Sequence, residues 1–176
     1  KEMFDKYSKI LLKPRYDFGG RGIEVYSDIE DVDRFDKGDE NLLVQRFIDS
    51  SKGIPEMDIE GLHDLRIIFV SDEPVLSYVR QPKNGYISNE NLGGSINYVE
   101  IEDIPEKAFE VTEVVKDCFD EYKPNLYTVD LIFDNGGEAH ILELNSKPGT
   151  GFHSEETRKD YEYPLMVRIV EALKEL

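Results

Sequence analysis

A strand–glycine–strand segment, Tyr127–Asn145, constrains the fold of this 176-residue chain more than any other part of the sequence. Two apolar runs flank the pair Gly136-Gly137, and that combination favours a tight two-residue hairpin turn. If Asn135 pairs with Glu138 across the turn, the register is set along both strands. This register places Asp130 opposite Glu143 and Thr128 opposite Asn145.

The predicted register divides the hairpin into a polar face and an apolar face, because strand side chains alternate. The apolar face carries Val129, Leu131, Leu142 and Leu144. On the polar face, directly opposed residues have Cβ atoms about 4.5–5.5 Å apart, where like charges destabilise a sheet. The opposed carboxylates therefore need a partner of opposite charge.

A divalent cation is the partner that fits these oxygen ligands. Mg²⁺ prefers oxygen and usually takes one or two carboxylates together with substrate phosphates. We therefore predict a metal site at Asp130, Glu143 and Asn145. The alternative is a solvated hairpin face whose charges are separated by water. Ile132 and Ile141, placed on the same face by the predicted register, favour burial.

The remaining sequence predicts an α+β fold with two lobes and largely antiparallel sheets. Short strands are predicted at 9–13, 23–26 and 42–48, and a second hairpin at 65–70 and 75–80 around a turn at 71–74. Residues 28–39 are weakly helical. Helical spacing predicts a helix over 105–122, with Ala108, Val111, Val114, Val115, Cys118, Phe119 and Tyr122 as its apolar set. A second helix starts near Tyr163, with Leu165, Ile169, Val170 and Leu173 on one face.

Domain organisation follows from the segment 49–61, a predicted loop that contains glycine and proline. We expect residues 1–48 to form part of a first lobe and residues 49–176 to form a second lobe. The sequence reaches a strand almost at once, so we expect a fragment without its own N-terminal region.

A glycine-rich turn follows the first predicted strand. Lys13, Gly19, Gly20, Arg21 and Gly22 can bring backbone N–H groups and two cations to a phosphate. The segment is not a P-loop, because no Gly-Lys-Ser/Thr closes it and no long helix follows. A simple glycine turn remains the alternative.

Two arginines, Arg66 and Arg80, lie on the two strands of the second hairpin. A register centred near Glu73 places them close together on one face, where they would bind an anion. The alternative is a surface pair bonded to local acids such as Asp64.

Composition excludes several classes of function. The net charge of −17 argues against general nucleic-acid binding, which needs clustered cations. No apolar stretch approaches the roughly 20 residues of a membrane span. The single cysteine, Cys118, allows no internal disulfide, which suits a reducing cytoplasm. Because Cys118 lies on the apolar face of a predicted helix, we expect it to be in the core. His63, His140 and His153 are too scattered for a zinc site, and His140 is interpreted as structural.

The order of these motifs resembles the ATP-grasp superfamily, and most closely glutathione synthetase and the glutamate ligases that extend protein tails. The resemblance runs from about Ile10 to Gly151. Its motifs are Lys13 to Gly22, Val44 to Ile48, Asp64-Leu65-Arg66, Arg80, Asn89 with Gly93-Gly94, Asp130, and Glu143-Leu144-Asn145 with Pro148-Gly149.

The resemblance implies a role for each of these positions. Lys13 would contact the nucleotide phosphates, and the loop from Gly19 to Gly22 would cover them. The remaining implied contacts are backbone groups of Gln45 and Phe47 at the adenine edge, Leu142 under the ring, Asp64 and Asn89 on the nucleotide, Asp130, Glu143 and Asn145 on one or two Mg²⁺ (or Mn²⁺), and Arg66 and Arg80 on the transferring phosphoryl group and the acyl phosphate.

The resemblance also implies a reaction. A substrate carboxylate takes the γ-phosphoryl group of ATP, and an amine displaces phosphate from the acyl phosphate to form an amide. Two alternatives stay open: an ATP-grasp kinase that stops at phosphorylation, and a nucleotide-binding module without catalysis. The family's N-terminal domain, which commonly helps to form the substrate site, is expected to be missing here, so the fragment would bind nucleotide without necessarily turning over. The carboxylate, the amine and the oligomeric state are not specified.

Overall fold

The computed structural model of the chain describes residues 2–16, 19–32, 41–86, 88, 94–149 and 154–175. These residues form two antiparallel sheets with helices packed beside them. Every helix within these ranges is too short or too polar to cross a membrane. The α+β fold with antiparallel sheets that the sequence predicts is confirmed.

The smaller sheet has three strands in the order β2-β1-β3. It begins after a short helix, α1 (Glu2–Tyr7), which the sequence patterns do not predict. The other elements are β1 (Ile10–Pro14), β2 (Glu24–Tyr26), α2 (Ile29–Val32) and β3 (Leu42–Arg46). Strand β1 is central because it pairs with both β2 and β3, and its alternate apolar residues, Ile10 and Leu12, are buried.

The larger sheet has five strands in the order β6-β5-β4-β7-β8, all antiparallel. Its strands are β4 (Asp64–Val70), β5 (Glu73–Gln81), β6 (Ser95–Val99), β7 (Leu126–Phe133) and β8 (Ala139–Asn145). The helices are α3 (Glu106–Phe119), α4 (Glu155–Thr157) and α5 (Tyr163–Leu173), with a π-helical turn at Arg158–Glu162 before α5 and single 3₁₀ turns at Pro55–Met57, Ile101–Asp103 and Asp120–Tyr122. Strand β6 and α4 were not predicted.

Alternation along β4 gives the larger sheet two different faces. Leu65, Ile67 and Phe69 pack with α3 in one core cluster. Ile68 and Val70 point to the other face and pack with α5. The polar residues at the start of β4 lie on the α5 face but outside that cluster, so this part of the face faces a cleft.

Helix α3 buries a narrower stripe than the sequence pattern indicates. Ala108, Thr112 and Val115 are buried against the sheet. Val114 is 71% exposed and Cys118 is also exposed, because both lie beyond the edge of the buried arc. The expectation that Cys118 belongs to the core is therefore wrong, as is the placement of Val114 and of Tyr122, which follows the helix and is exposed.

The apolar face predicted for the C-terminal helix is likewise only half correct. Leu165 is buried and Ile169 packs against the same cluster. Val170 and Leu173 are exposed, because they lie on the side of α5 that is turned away from the sheet.

The β7–β8 hairpin closes differently from the predicted two-residue turn. The N–H of Asp134 donates to the carbonyl of Glu138 at 2.9 Å, so three residues form the loop. Gly137 has a φ of +80°, which a glycine adopts without strain. A β-bulge between Asp130 and Leu131 then shifts the register back by one residue.

The bulge restores the predicted pairing of the polar residues on the hairpin. Asp130 lies opposite Glu143, and Thr128 lies opposite Asn145. Nearer the loop the pairing differs, since Leu131 lies opposite Ile141. The sequence-based register placed Ile141 on the polar face, whereas Ile141 packs against the α3 cluster.

The β4–β5 turn is tighter than the predicted turn at 71–74. Strand β5 already starts at Glu73, and Ser71 and Asp72 take left-handed φ angles of 49° and 66°. Both angles are unusual for residues other than glycine. The Asp72 carboxylate accepts a hydrogen bond from the Tyr127 hydroxyl at 3.1 Å and pairs with Lys123 Nζ at 2.7 Å, which stabilises the turn.

Candidate functional site

A cavity of about 450 Å³ lies between the two sheets. The smaller sheet contributes β1, the glycine turn and β3, and the larger sheet contributes β4, β5, β7 and β8. Among the residues predicted from the sequence, the lining includes Lys13, Gly19, Gly20, Gln45, Phe47, Asp64, Arg66, Arg80, Asp130, Leu142, Glu143 and Asn145. Arg21 and Gly22 are not part of this lining, and Asn89 lies outside the described residues.

The glycine turn at one wall depends on left-handed backbone. Gly19 and Gly20 both have a φ of 73°, and Gly22 has a φ of 69°. A Cβ on Gly22 would lie 2.8 Å from Cγ of Pro14, so a side chain is excluded there as well. The turn thus brings bare backbone to the cavity, with Lys13 beside it.

Strand β3 presents its outer edge to the site. The N–H of Phe47 donates to the carbonyl of Lys9 at 3.1 Å, so it is not available to a ligand. Because backbone groups alternate in direction along an antiparallel strand, those of Arg46 and Ile48 point to the unpaired edge. Both residues line the cavity, so the backbone groups open to a ligand are those of Arg46 and Ile48 rather than those of Gln45 and Phe47.

Four charged side chains form the floor of the cavity, and we call them the acid–arginine quartet: Asp64, Arg66, Arg80 and Asp130. Arg66 binds both oxygens of Asp130, with Nε at 2.6 Å from Oδ1 and Nη2 at 2.5 Å from Oδ2. Arg80 donates to Asp64 Oδ1 from Nε at 2.9 Å and from Nη2 at 2.6 Å. Its Nη2 also lies 2.8 Å from Asp130 Oδ2.

Strand pairing explains why these four residues meet. Arg66 lies opposite Asp130 across β4 and β7, and Asp64 lies opposite Arg80 across β4 and β5. The alternative left open for the arginines is partly observed, since Arg80 is bonded to Asp64. The pairs are not on the surface, however, because both arginine side chains are only 13% exposed.

The quartet perturbs the acidity of its members. Burial opposes ionisation of Asp130, but the hydrogen bonds and charges of Arg66 and Arg80 outweigh it and hold its pKa below the usual range. Burial raises the pKa of Asp64 to about 7, and the charge of Asp130 adds to this while Arg80 opposes it. Asp130 is therefore the more firmly ionised carboxylate of the two.

The donor set next to the quartet fits a magnesium ion in kind. Glu143 is exposed and faces Asp130 across the strand pair, and Asn145 lies one pairing step further along. All three residues offer hard oxygen ligands on the cavity side. The hydroxyl of Thr128, opposite Asn145, is buried without a hydrogen-bond partner.

Asp130 limits how a metal can bind in this arrangement. A carboxylate has about four acceptor positions, and the two arginines occupy three of them on Asp130. Among the described residues, no three His, Cys, Asp or Glu side chains converge as a ready metal cluster. Metal binding would therefore use Glu143, Asn145 and the remaining position on Asp130, or would displace an arginine contact.

The bulge in the β7–β8 pair also decides the position of Leu142. The sequence-based register placed Leu142 on the apolar face, whereas the resemblance placed it in the nucleotide pocket. As the extra residue of the bulge, Leu142 lines the cavity beside Glu143.

Two aromatic residues of the site are not singled out by the sequence motifs, although Tyr86 belongs to the segment 81–98 that is expected to line the substrate cleft. Tyr78 lies opposite Arg66, and its period-two spacing from Arg80 would have indicated the same face. Tyr86 also lines the cavity and meets the Phe47 ring edge-on at 5.2 Å. Lys9 Nζ lies 3.9 Å from the centroid of the Phe47 ring. No sequence pattern indicates that Lys9, Phe47 and Tyr86 lie together, because they are far apart in the chain.

Solved structures with a similar fold are ATP-grasp ligases and related synthetases. D-alanine–D-alanine ligase from Bacillus anthracis, in complex with ATP, is 15% identical with a TM-score of 0.60, over 96% of this chain and 54% of that chain. ATP-grasp ligase PsnB, with its minimal precursor, Mg and ADP, is 14% identical with a TM-score of 0.61, over 98% and 49%. D-cycloserine synthetase DcsG is 12% identical with a TM-score of 0.60, over 97% and 56%.

These likenesses establish the fold, and this chain spans about half the length of each of the three structures. No curated protein matches the sequence. The family is established independently by the sequence itself, since residues 5–170 match the RimK-like ATP-grasp domain, and the chain therefore belongs to the RimK-like ATP-grasp domain family.

Proposed function

We propose that this chain binds ATP with Mg²⁺ and serves an ATP-dependent carboxylate–amine ligase that acts through an acyl phosphate. The observation that carries the proposal is the acid–arginine quartet lying beside Glu143 on one wall of a cavity whose other wall is a glycine turn and an open strand edge. Groups that can bind a cation and groups that can bind an anion thus line the same cleft. Residues 1–48 and 49–176 would be the two lobes that hold the nucleotide.

The nucleotide would lie with its base at the edge of β3. Backbone groups of Arg46 and Ile48 would hydrogen-bond the base, and Leu142 would pack against the ring. Lys13 and the N–H groups of the Gly19–Gly22 turn would hold the phosphates.

The metal-binding and phosphoryl-binding groups would lie at the other end of the cavity. Asp130, Glu143 and Asn145 would hold one or two magnesium ions, which would neutralise negative charge on the phosphates. Arg66 and Arg80 would contact the transferring phosphoryl group, and Asp64, which accepts two hydrogen bonds from Arg80, would hold that arginine in place.

The proposed reaction needs no protein nucleophile. A carboxylate oxygen attacks the γ-phosphorus, the bond to the β,γ-bridging oxygen breaks, and ADP leaves with the electron pair. An amine nitrogen then attacks the acyl carbon, the bond from that carbon to the phosphate oxygen breaks, and the amine loses a proton. The cavity supplies fixed cations where negative charge develops, which is the main contribution expected for phosphoryl transfer.

The first test is calorimetric titration of this chain with a non-hydrolysable ATP analogue, with and without Mg²⁺. The proposal expects magnesium-dependent binding. Failure to bind in this chain and in any longer protein that contains it would contradict the nucleotide site.

A second test separates the ligase from the two alternatives. In a protein with complete substrate sites, ADP release that requires both an acid and an amine supports the ligase. ADP release with a hydroxyl substrate alone supports a kinase. Nucleotide binding without turnover supports a nucleotide-binding module without catalysis.

A further inference from the structure

A short relay of side chains connects the two sheets beside the cavity. Nη2 of Arg46, from β3, lies 3.0 Å from Nδ1 of His140 on β8. Nε2 of His140 lies 2.8 Å from Oδ2 of Asp134 at the hairpin loop. The two sheets are thus joined through the side chains of their edge strands.

The donors and acceptors of this relay are fixed by chemistry. Arginine can only donate, so Nδ1 of His140 must accept and Nε2 must carry the proton. Asp134 then accepts from Nε2–H through Oδ2. Its other oxygen accepts from the N–H groups of Gly136 at 2.8 Å and Glu138 at 3.0 Å, which holds the carboxylate in place.

The relay ends on the strand whose backbone would read the base. Arg46 lines the cavity, whereas His140 lines a separate groove between α1, β3, α3 and β8. On β8, His140 lies two residues before Leu142, which would pack against the base. The ring of Tyr7 lies 5.9 Å from Cζ of Arg46 and helps to confine the guanidinium.

We propose that His140 is a positioning residue for the nucleotide base. Acting through Arg46, it fixes the edge of β3 relative to Leu142 and so sets the slot in which the base lies. This inference rests on the proposed function, because it assumes that the base binds at the β3 edge.

The relay contributes more to the position of Arg46 than to the stability of the fold. The His140 and Asp134 side chains are 24% and 31% exposed, so water competes for their hydrogen bond and its net contribution to folding is small. Hydrogen-bond strength, in contrast, falls steeply when the donor angle or distance changes. A small displacement of Arg46 and Ile48 would therefore weaken base recognition before it destabilised the fold.

The experiment measures dissociation constants of Mg-ATP and Mg-ITP by calorimetry, with displacement titration for the weaker ligand. ITP keeps the ribose and phosphates but reverses the donor and acceptor at the base edge. The variants are His140→Ala, His140→Gln, which can still accept from Arg46 and donate to Asp134, and Lys107→Ala. Lys107 contacts Gly137 and Glu138 of the same hairpin and does not touch Arg46, so it is the matched control.

We expect His140→Ala to weaken Mg-ATP binding about five- to tenfold, the effect of losing roughly one hydrogen bond, and to leave Mg-ITP binding within about twofold. His140→Gln should restore most of the preference for ATP, and Lys107→Ala should match the wild type. The unfolding temperatures without ligand should be similar for all variants.

Three outcomes would overturn the inference: unchanged ATP affinity in His140→Ala, an equal loss for ATP and ITP, or no recovery in His140→Gln. Failure of the wild-type chain to bind Mg-ATP at all, in contrast, would count against the proposed function and would remove the basis of this inference with it.

Discussion

Asp130 takes part in two sets of interactions at the floor of the cleft. Arg66 and Arg80 hold its carboxylate in the structure, and Glu143 faces it from the neighbouring strand. The sequence predicted the opposed carboxylates correctly, because alternation and register depend on local rules. It did not predict that arginines from β4 and β5 would bind Asp130, because that contact requires the strand order β5-β4-β7.

The exposed carboxylate of Glu143 gives the sharpest test of the metal site. Glu143→Gln keeps the shape but removes a charged oxygen ligand, and the fold should be unchanged because the side chain is exposed. We expect the magnesium-dependent nucleotide affinity to fall by more than roughly 10–100-fold. That range is typical when the lost residue only hydrogen-bonds to a metal ligand. Calorimetry with and without Mg²⁺ measures this.

The matched control is Glu138→Gln, which alters an exposed carboxylate on the same hairpin that pairs with Lys107. Equal affinities in Glu143→Gln and Glu138→Gln would exclude Glu143 as a metal ligand.

Arg66 competes with a metal for Asp130, and this competition is measurable without nucleotide. Arg66→Met leaves Asp130 with Arg80 alone, so we expect the free energy of unfolding to fall by about 3 kcal/mol. The vacated acceptor positions should let Mg²⁺ alone restore part of that loss, whereas the wild type should respond little. Urea unfolding with and without millimolar Mg²⁺ measures both effects.

Arg168→Met serves as the control, because Arg168 pairs with Glu73 and Glu171 at the surface. A magnesium response of the same size in Arg66→Met, Arg168→Met and the wild type would show that Arg66 does not restrict the metal.

His63 makes folding stability depend on pH. It is buried, Nε2 accepts from the N–H of Phe133 at 3.1 Å, and Nδ1 donates to the carbonyl of Gly61 at 3.0 Å. Burial lowers its pKa, while the contact with Gly61 acts in the opposite direction. The unfolded chain takes up the proton near pH 6.5, but the folded chain does so only at lower pH.

Stability from His63 is therefore fully present above about pH 6.5 and is lost as the pH falls towards the folded pKa. NMR titration of the three histidines measures the pKa directly, and His63→Gln assigns the signal. A His63 signal that titrates at or above about 6.5 would contradict the prediction.

At the scale of elements, the β7–β8 hairpin shows what the sequence can and cannot predict. Both strands and the opposed polar pairs follow from alternation and the glycine pair. The loop length and the bulge do not, because a three-residue loop followed by a bulge gives the same pairing at Asp130 as a two-residue turn without one. The two arrangements differ in every pairing between the bulge and the loop, from Leu131 with Ile141 to Phe133 with Ala139, and in the position of Leu142.

Helix α3 shows a different limit of prediction. Its existence and extent follow from helical spacing, but apolar composition alone does not define which side meets the sheet. Thr112 is buried with its hydroxyl bonded to the carbonyl of Phe109 at 2.9 Å, whereas Val114 faces solvent. A threonine whose hydroxyl is hydrogen-bonded within its own helix can occupy the core. The buried side of α3 therefore includes a polar residue.

The segment from 49 to 61 is less free than its glycine and proline content indicates. Ile54 is buried in the α3 cluster, and Gly53 has a φ of +78° where a Cβ would lie 1.8 Å from the carbonyl oxygen of Ile59. Gly61 has nearly the same φ, +79°, but its Cβ position is open.

These two glycines make a matched pair for mutation. Gly61→Ala should cost roughly 1–2 kcal/mol from its left-handed backbone alone. Gly53→Ala should cost clearly more, because the backbone must also move away from Ile59. Urea unfolding measures both, and equal losses would show that the segment relaxes without cost.

At the scale of the whole molecule, the cavity walls come from two separate sheets, so a bound nucleotide should stabilise both. With Mg-ATP analogue at 100 times its dissociation constant, the free energy of unfolding should rise by about 2.7 kcal/mol. Hydrogen exchange should slow in β1, β3, β7 and β8 together. Slowing confined to one sheet would contradict binding between them.

The quartet has a consequence for how a nucleotide approaches. With both aspartates ionised, its two arginines and two aspartates sum to zero formal charge, in a chain whose net charge is −17. Long-range attraction therefore cannot capture a triphosphate, and the surrounding field repels it. Added salt screens repulsion between exposed charges beyond about 10 Å at 0.1 M, but hardly affects buried contacts. Moderate ionic strength should thus speed association while leaving dissociation nearly constant, the opposite of what a cationic binding surface shows.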